Sequence, residues 1–455
     1  MKHPHVHRPS ARPPRSALTL LVLLLSTCAP AVRADPPPEL TAEQRTAVLE
    51  RVCSEISRVY PFPEVRDATR DGLLAKLRAG GFDDVRSPKI LAARVTEDME
   101  ALSRDKHLDL YFDPLWAAEI AERDESDDAH AGMTPSQLES GRWENFGFKQ
   151  IRVLDGRVGY LDLRAFYPTR HAGPTAAAAM EFLSGSSAII VDLRRNGGGW
   201  DDMVTLLVAY FIDLEEPKTV GVLRSTLDGS YFVSEVPAFV RGPRLTGIPV
   251  YILTSSSTAS AAEAFASIMR HLGGDVLLVG ETTAGAENPV ETIALDGGFV
   301  LKIPCYQKLD FGTRQGWEGT GLEADIKVDA EDALDTAHLH ALRALETRLT
   351  DEVARDKLRW AIDGHLALRE PHRVPRSILQ SLSGTYRGAG ITLDGGSLLL
   401  QFDDRKPARL LAISDTTFAV EGRDDLRIRF ITDDGRVEGL ERIYSDGYQA
   451  MHPRE

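Results

Sequence analysis

Apolar residues recur at three- and four-residue steps from residue 41 onwards. The repeating segments are RTAVLERVCSEISRVY, PEVRDATRDGLLAKLRAGG and SPKILAARVTEDMEALSRDKH, and TAEQ before the first is a candidate capping box. This spacing puts the apolar side chains on one face of a helix. The pattern therefore predicts an N-terminal helical bundle over residues 41–115.

Between residues 146 and 346, short apolar runs alternate with helical patterns. DDMVTLLVAYFID and ASAAEAFASIMRHLGG predict helices, and Gly-Gly ends the second. The runs GRVGYLDLRAF, SSAIIVDLR, IPVYILTS and DVLLVGET predict strands. Two of these runs are apolar almost throughout, which is typical of parallel strands buried on both faces. The alternation predicts an α/β core.

The pattern changes after residue 346. Residues 347–372 continue as a helical linker, and residues 373–455 alternate in twos between Gly and Asp-Gly turns. We expect a separate antiparallel β domain there, similar in texture to the lipocalin-like domains attached to secreted hydrolases. An acidic interval at about 117–145 predicts a solvated loop, although its carboxylates could also hold a cation.

The first 34 residues have the composition of a signal peptide. A basic, proline-rich start precedes the apolar run ALTLLVLLL and the small residues of CAPAVRA. The apolar run is too short to span a bilayer, so cleavage after Ala34 and a secreted or periplasmic protein are predicted, with no transmembrane segment in the mature chain. The alternative is a lipoprotein anchored through Cys28, although Thr27 is unusual before a lipidated cysteine.

The net charge, the cysteines and the histidines limit the ligands and cofactors that the sequence predicts. The formal net charge of −15 makes nucleic acid an unlikely ligand, because phosphate contact needs a basic face. Cys53 and Cys305 could pair, but they lie in different predicted domains. The chain has no C-x-x-C or H-E-x-x-H spacing, and His338 and His340 fall on different faces of a predicted helix. Neither a metal nor an organic cofactor is predicted.

The stretch TSSSTASAAEAFA, residues 254–266, follows a predicted strand and opens a predicted helix. A serine at such a turn projects from a rigid backbone, and the next N–H points at the oxyanion formed after attack. The alternative is that a hydroxyl only caps the helix. The glycine run of RNGGGW follows a neighbouring strand, where its backbone could approach a ligand closely.

Four segments in this order carry a family resemblance: VDLRRNGGG, TSSSTASAAEAFA, VGETTAGAENPVET and GWEGTGLEADI. They resemble the C-terminal-processing (tail-specific) serine peptidases, and more narrowly the branch of the interphotoreceptor retinoid-binding protein modules and the tricorn core. FGFKQIRVLDGRVGYLDLRAF is similar to the strand pair that opens the core in that branch. The resemblance covers about residues 41–346 and implies a crotonase-like α/β core behind the helical bundle.

The resemblance implies roles for individual residues. The family's nucleophile corresponds to Ser260, and the amides of Ala261 and Gly198 would form the oxyanion hole. Tail-specific members use a lysine base, but Ala286 stands at that position here. A Ser-Lys dyad is therefore absent from its usual place.

The tricorn-like branch uses a histidine base instead, joined by a hydrogen-bonding relay to a glutamate. The matching residues are His107, in SRDKHLDL, and Glu318, in GWEGTGLEAD. The relay in tricorn includes a serine beside the histidine, whereas Lys106 occupies that place here. This departure leaves the connection from His107 to Glu318 open.

These residues predict a secreted serine peptidase that acts through an acyl-enzyme on peptides or unfolded proteins. No segment between the bundle and the core is long enough for a PDZ insert, so selection of C-terminal tails is not expected. The alternative from the same resemblance is a non-catalytic carrier of retinoid or fatty acid. The sequence leaves the oligomeric state open.

Overall fold

The computed structural model describes residues 39–122, 133–310, 316–402 and 405–455. The predicted signal peptide, including Cys28, and the central part of the acidic interval lie outside the described residues. Within the described ranges, no helix combines the length and apolarity needed to cross a bilayer.

Three helices open the described chain, as the sequence predicts. The predicted capping box is present, because the Gln44 N–H donates to Thr41 Oγ1 and the Thr41 N–H donates to Gln44 Oε1. A proline begins each of the next two helices, where its missing N–H has no cost. The elements of this region are α1 (Ala42–Val59), α2 (Pro63–Arg78), α3 (Pro88–Ser103), β1 (Asp109–Phe112), α4 (Pro114–Ala121) and α5 (Pro135–Trp143).

The central region contains eleven strands and three helices in the described residues. They are β2 (Phe148–Leu154), β3 (Val158–Leu163), α6 (Thr169–Leu183), β4 (Ala188–Asp192), α7 (Asp201–Phe211), β5 (Lys218–Ser225), β6 (Tyr231–Val236), β7 (Val250–Thr254), α8 (Ala261–Leu272), β8 (Val276–Gly280), β9 (Val290–Leu295), β10 (Phe299–Pro304), β11 (Tyr306–Asp310) and β12 (Ile326–Lys327). The four strands and two helices predicted from the apolar runs are β3, β4, β7, β8, α7 and α8.

The main sheet has the order β12-β8-β7-β4-β3-β2, and only β2 runs antiparallel to its neighbour among these strands. In β4, Ile189 and Val191 face a core shared with α6, α7 and α8. Ala188 and Ile190 point to the other face and join a second cluster. Because both faces are covered, these strands are apolar throughout. The predicted α/β class is confirmed, while the finer crotonase-like description stays a prediction.

Two smaller sheets connect the helical bundle to the core. β1 pairs with β10 in the sheet β1-β10-β9, and β11-β5-β6 forms the other. Side chains of α1, α2, α3 and β10 share one buried cluster. Cys53, from the helical bundle, and Cys305, from the central region, both lie buried in this cluster as free thiols. Burial raises the pKa of the Cys53 thiol to about 11.

Helices α9 (Ala333–Arg348) and α10 (Glu352–Arg369) cover the second face of the main sheet. A short helix that the sequence pattern did not reveal, α11 (Arg376–Leu382), leads into the C-terminal domain. The strands there are β13 (Gly384–Tyr386), β14 (Ala389–Asp394), β15 (Ser397–Phe402), β16 (Ala408–Ala412), β17 (Thr417–Val420), β18 (Arg423–Asp433), β19 (Arg436–Tyr444) and β20 (Gln449–Pro453).

The C-terminal strands form the predicted antiparallel β domain. Each strand pairs with the next along the chain, and a bridge between Tyr386 and Arg454 brings the two edges of this near-barrel together. Apolar side chains such as Phe418 and Ile428 fill the interior. The domain contacts α10, where the Arg427 guanidinium lies 3.8 Å from the centre of the Trp360 ring.

Two histidines meet between α9 and α10. The rings of His338 and His365 are 5.4 Å apart, and His338 Nε2 contacts the Asp155 carbonyl at 2.9 Å. Burial lowers the pKa of both imidazoles, and the charge of His338 lowers that of His365 further. The folded state therefore resists protonation of this pair.

We expect acid to destabilise the protein through these histidines. Below the ordinary imidazole pKa of about 6.5, the unfolded chain binds more protons than the folded chain, so stability falls as pH falls. Thermal unfolding at pH 7.5 and 5.5 measures the effect, and His365→Gln should reduce the difference in Tm between the two pH values. An unchanged difference in the variant would contradict the assignment.

Candidate active site

The hydroxyl-rich segment after β7 is held against the loop after β4. Ser255 Oγ donates to the Arg194 carbonyl at 2.5 Å, and Thr258 Oγ1 donates to the Leu193 carbonyl at 2.8 Å. Both hydroxyls are buried with the backbone that they hold. Two of the serines and threonines in this stretch therefore fix the loop that carries Ser260.

Ser260 has an unusual backbone conformation. It lies directly before α8 with φ 56° and ψ −122°, a positive φ that L-residues rarely adopt. Such a conformation costs on the order of 1–3 kcal/mol and persists only where surrounding contacts hold it. One such contact is the Ser260 N–H, which donates to Glu263 Oε2 at 3.0 Å. The strain occurs at the residue that the family resemblance predicts as the nucleophile.

Gly198 packs directly against this turn. Its φ is +107°, and a Cβ placed on it would lie 2.7 Å from the Ser260 Cβ and 3.0 Å from the Ala261 nitrogen. Only glycine fits both the conformation and the space. The structure thus brings together Ser260 and the two residues predicted to supply the oxyanion hole.

One donor of the predicted oxyanion hole already has an acceptor in this structure. The Gly198 N–H donates to Asn196 Oδ1 at 2.9 Å, so this donor is already engaged. Asn196 is fully buried, and its Nδ2 donates to the Leu163 carbonyl at 3.0 Å. The Ala261 N–H belongs to the first turn of α8, where N–H groups have no acceptor within the helix. An oxyanion could accept directly from the Ala261 N–H. To accept from the Gly198 N–H as well, it would have to displace Asn196 Oδ1.

His107 and Glu318, predicted from distant parts of the chain, come together in the fold. Each offers a side-chain nitrogen or oxygen within 4.8 Å of the other's and of an Asp105 oxygen. His107 Nδ1 and Glu318 Oε1 are shielded from solvent and have no hydrogen-bond partner in the described chain. These three side chains could bind a metal ion. Alternatively, they could form a hydrogen-bonding relay from the histidine to a carboxylate.

Glu318 and His107 have perturbed pKa values. Burial, reinforced by the charge of Asp105, raises the pKa of Glu318 to about 7, although two backbone N–H donors oppose the shift. Burial lowers the pKa of His107 to about 4 and Lys302 lowers it further, while Asp105 opposes the change. At neutral pH the imidazole is therefore uncharged, as a general base must be before it accepts a proton.

Two residues that the sequence analysis missed hold this cluster. Asp105 is buried, and its oxygens accept from the His107 backbone N–H at 2.9 Å and from the Tyr60 hydroxyl at 2.8 Å. Asn288 Nδ2 donates to Asp105 at 2.9 Å, and the Asn288 N–H donates to Glu318 Oε2 at 2.9 Å. Asp105 lies two residues before His107 in SRDKH, which was the one local signal available.

Lys106 points away from the relay. Its Nζ donates to the Ala284 carbonyl at 2.7 Å, in the loop that follows β8. Ser260 and His107 share no hydrogen bond in the described residues. The loop at 283–286 contacts Lys106 on one side of the site and Glu263, which binds the Ser260 N–H, on the other. That loop includes Ala286, at the position where the family resemblance implies a lysine in tail-specific members.

A cavity of about 420 Å³ lies beside the site. Ala264, one helical turn after Ser260, lines it together with Asn288. Apolar atoms form most of the remaining wall, and its polar side chains include both acids and bases: Asp201, Lys218, His271 and Glu287. The volume lies in the range of pockets that bind small molecules or several side chains.

Sequence comparison matches two adjoining parts of the chain to known families. Residues 157–328 match the family model described as peptidase family S41, and residues 40–144 match the N-terminal domain of this family in eukaryotic IRBP. The carboxy-terminal processing protease CtpB of Bacillus subtilis (strain 168) is 23% identical over 205 residues. That match spans 44% of this chain and 40% of the length of CtpB.

Solved structures of low identity are similar to parts of the chain. The photosystem II D1 C-terminal processing protease is 13% identical, with a TM-score of 0.39, and the match covers 64% of this chain and 94% of that one. The tricorn protease is 14% identical, also with a TM-score of 0.39, and the match covers 70% of this chain and 37% of that one.

Proposed function

The chain belongs to peptidase family S41, and from this membership we propose that it hydrolyses peptide bonds with Ser260 as the nucleophile. The observation that carries the proposal is the strained backbone of Ser260 against Gly198, at the carboxyl ends of adjacent strands β4 and β7. Active sites of open α/β sheets form at this end of the strands.

In the proposed reaction, the Ser260 hydroxyl attacks the carbonyl carbon of the scissile peptide bond and His107 accepts the hydroxyl proton. The Ala261 N–H and the Gly198 N–H, after release from Asn196, stabilise the oxyanion, each contributing about 3 kcal/mol. His107 then donates its proton to the leaving amine. Water, deprotonated by His107, then attacks the acyl-enzyme carbonyl, the bond to Ser260 Oγ breaks, and His107 returns the proton to that oxygen as the acyl product leaves as a carboxylic acid.

Glu318 orients and stabilises the imidazole in this scheme. Its unpartnered Oε1 lies in the cluster beside His107, whose Nδ1 also lacks a partner in the described chain. A small closure would join these atoms, and catalytic hydrogen bonds often tighten only when substrate binds. The relay then requires Glu318 ionised and His107 neutral before attack.

Fluorophosphonate capture tests the proposal. A labelled fluorophosphonate reacts covalently with an activated serine, so peptide mapping of the treated protein should locate the label on Ser260. Exposed Ser257, on the same loop, serves as an internal control for non-specific reaction. Hydrolysis of a quenched fluorescent peptide library by the same preparation measures turnover. Absence of both label and turnover would overturn the proposal.

The cavity beside α8 favours a second candidate, a carrier for an apolar ligand. Val220, Leu223, Ile268 and Leu272 line it, and its volume of about 420 Å³ could hold an apolar ligand as well as the side chains of a peptide. Retinoid and fatty-acid titration would test this function. Tight binding without Ser260 labelling would favour the carrier, and labelling with turnover would favour the peptidase.

Peptides and unfolded proteins are the substrates we propose, since no PDZ insert separates the bundle from the core. We also propose that the protein is exported, on the composition of residues 1–34. N-terminal sequencing of the secreted or periplasmic protein would test cleavage after Ala34. Lipidation at Cys28 would instead give a blocked terminus that begins at that cysteine.

A further inference from the structure

Glu263 is a fully buried carboxylate at the start of α8. Its Oε2 accepts the N–H groups of Ser260 at 3.0 Å and Ala286 at 2.8 Å. Its Oε1 accepts the Gly285 N–H at 2.8 Å and the Thr283 hydroxyl at 2.5 Å. Four donors from two separate segments therefore converge on one side chain.

A buried carboxylate without a cation needs a reason. Glu263 forms no ion pair within the described residues, so its charge is balanced only by hydrogen-bond donors and by the start of α8. Two carboxylate oxygens can accept four donors at once, whereas the glutamine amide has one oxygen and adds two donors of its own. The chemistry of the site therefore requires the carboxylate.

The segment that Glu263 holds also contacts both ends of the relay. Lys106, next to His107, donates from Nζ to the Ala284 carbonyl at 2.7 Å. The Gly319 N–H, next to Glu318, donates to the Gly285 carbonyl at 2.8 Å. The loop at 283–286 thus connects the neighbours of His107 and Glu318 to the carboxylate that binds the Ser260 backbone.

We propose that Glu263 is a positioning residue that sets the Ser260 backbone relative to His107 and Glu318, an inference that rests on the proposed function of this site. The bond from the Ser260 N–H to Glu263 fixes the strained turn. The three donors of the 283–286 loop fix the segment that contacts Lys106 and Gly319, the neighbours of the two relay residues. Glu263 itself takes no part in bond making.

Glu263→Gln tests the proposal in the full chain. Hydrogen exchange measured by mass spectrometry should show faster exchange of the Ser260, Gly285 and Ala286 amides. The second-order rate of fluorophosphonate capture at Ser260 should fall by about 100-fold, as expected for a misplacement of about 1 Å. We expect the loss in kcat, with little change in KM, because the substrate-binding surface is retained.

Two further variants provide controls. Thr283→Val removes one donor to Glu263 and should reduce capture less than Glu263→Gln does, whereas Thr283→Ser keeps the hydroxyl and should restore capture. Leu400→Ala, buried in the distant β domain, should lower Tm without changing the capture rate. This comparison separates loss of positioning from general destabilisation, and Thr283→Val replaces Glu263→Gln if the latter fails to fold.

The possible outcomes separate the two proposals. Unchanged exchange at the three amides in Glu263→Gln would overturn the positioning role, whether or not the protein is a peptidase. Unchanged capture at a labelled Ser260 would also overturn it and leave the peptidase intact. An unlabelled wild-type protein would instead remove the proposed function, and the exchange measurement would still decide whether Glu263 fixes the turn.

Discussion

Ser260→Ala is expected to reduce kcat for peptide hydrolysis by at least about 10⁴-fold, because the covalent step is then unavailable. The turn should largely persist, since the Ser260 N–H keeps its bond to Glu263 Oε2, although the substitution also removes the hydroxyl oxygen that accepts from the Glu263 N–H in the capping box. Steady-state kinetics on a quenched fluorescent peptide, with far-UV circular dichroism to verify folding, measures the effect.

His107→Ala is the matched variant for this prediction. Residues that act as a unit give non-additive losses, so the double variant Ser260→Ala/His107→Ala should be no slower than Ser260→Ala alone. If Ser260→Ala retained wild-type turnover, the catalytic assignment would be wrong. If the double variant were slower by the product of the two single losses, His107 would act independently of Ser260.

Glu318→Gln is expected to lower kcat by roughly 10³- to 10⁴-fold, the range in which an amide disturbs the histidine of a Ser-His-Asp triad. The pH dependence carries more information. The pKa of Glu318 is raised to about 7 and that of His107 is lowered to about 4. As pH falls through 7, Glu318 takes up a proton and loses its role as an acceptor, so kcat/KM should fall on the acid side of about pH 7.

Glu318→Gln distinguishes the titration of Glu318 from that of His107. In Glu318→Gln the limb near pH 7 should disappear, and the remaining activity should fall only when His107 is protonated near pH 4. Peptide turnover measured from pH 4 to pH 9 for both proteins tests this assignment. A wild-type acid limb that persists near pH 7 in the variant would show that another group titrates there.

The strands of the main sheet were predictable because local pattern and tertiary burial agree. β4 and β7 are buried on both faces, so their apolar runs identify them without knowledge of their neighbours. The helices behaved similarly, and the capping box at Thr41 marked the start of α1. The order of the motifs then identified the family.

The parts that the sequence did not reveal depend on contacts between distant segments. β1 forms by pairing with β10, almost two hundred residues later in the chain, so its own pattern is weak. In the sequence, Asn196 is an ordinary loop residue and Glu263 an ordinary helix residue. Their hydrogen bonds to Gly198 and to Ala286 become visible only in the folded structure. Within the site, the family resemblance predicted roles for Ser260 and His107, but it did not predict the hydrogen bond that occupies the Gly198 N–H.

The cluster that unites the first three helices with β10 has a consequence for biosynthesis. A ribosome releases α1, α2 and α3 long before Phe299 and Ile303 exist to cover them. The helices can pack against one another, but the apolar surface that β10 later covers stays exposed during that interval, when aggregation competes with folding. We therefore expect truncated chains that stop before β10 to need a holding chaperone, and a full-length chain to mature only after this strand has been synthesised.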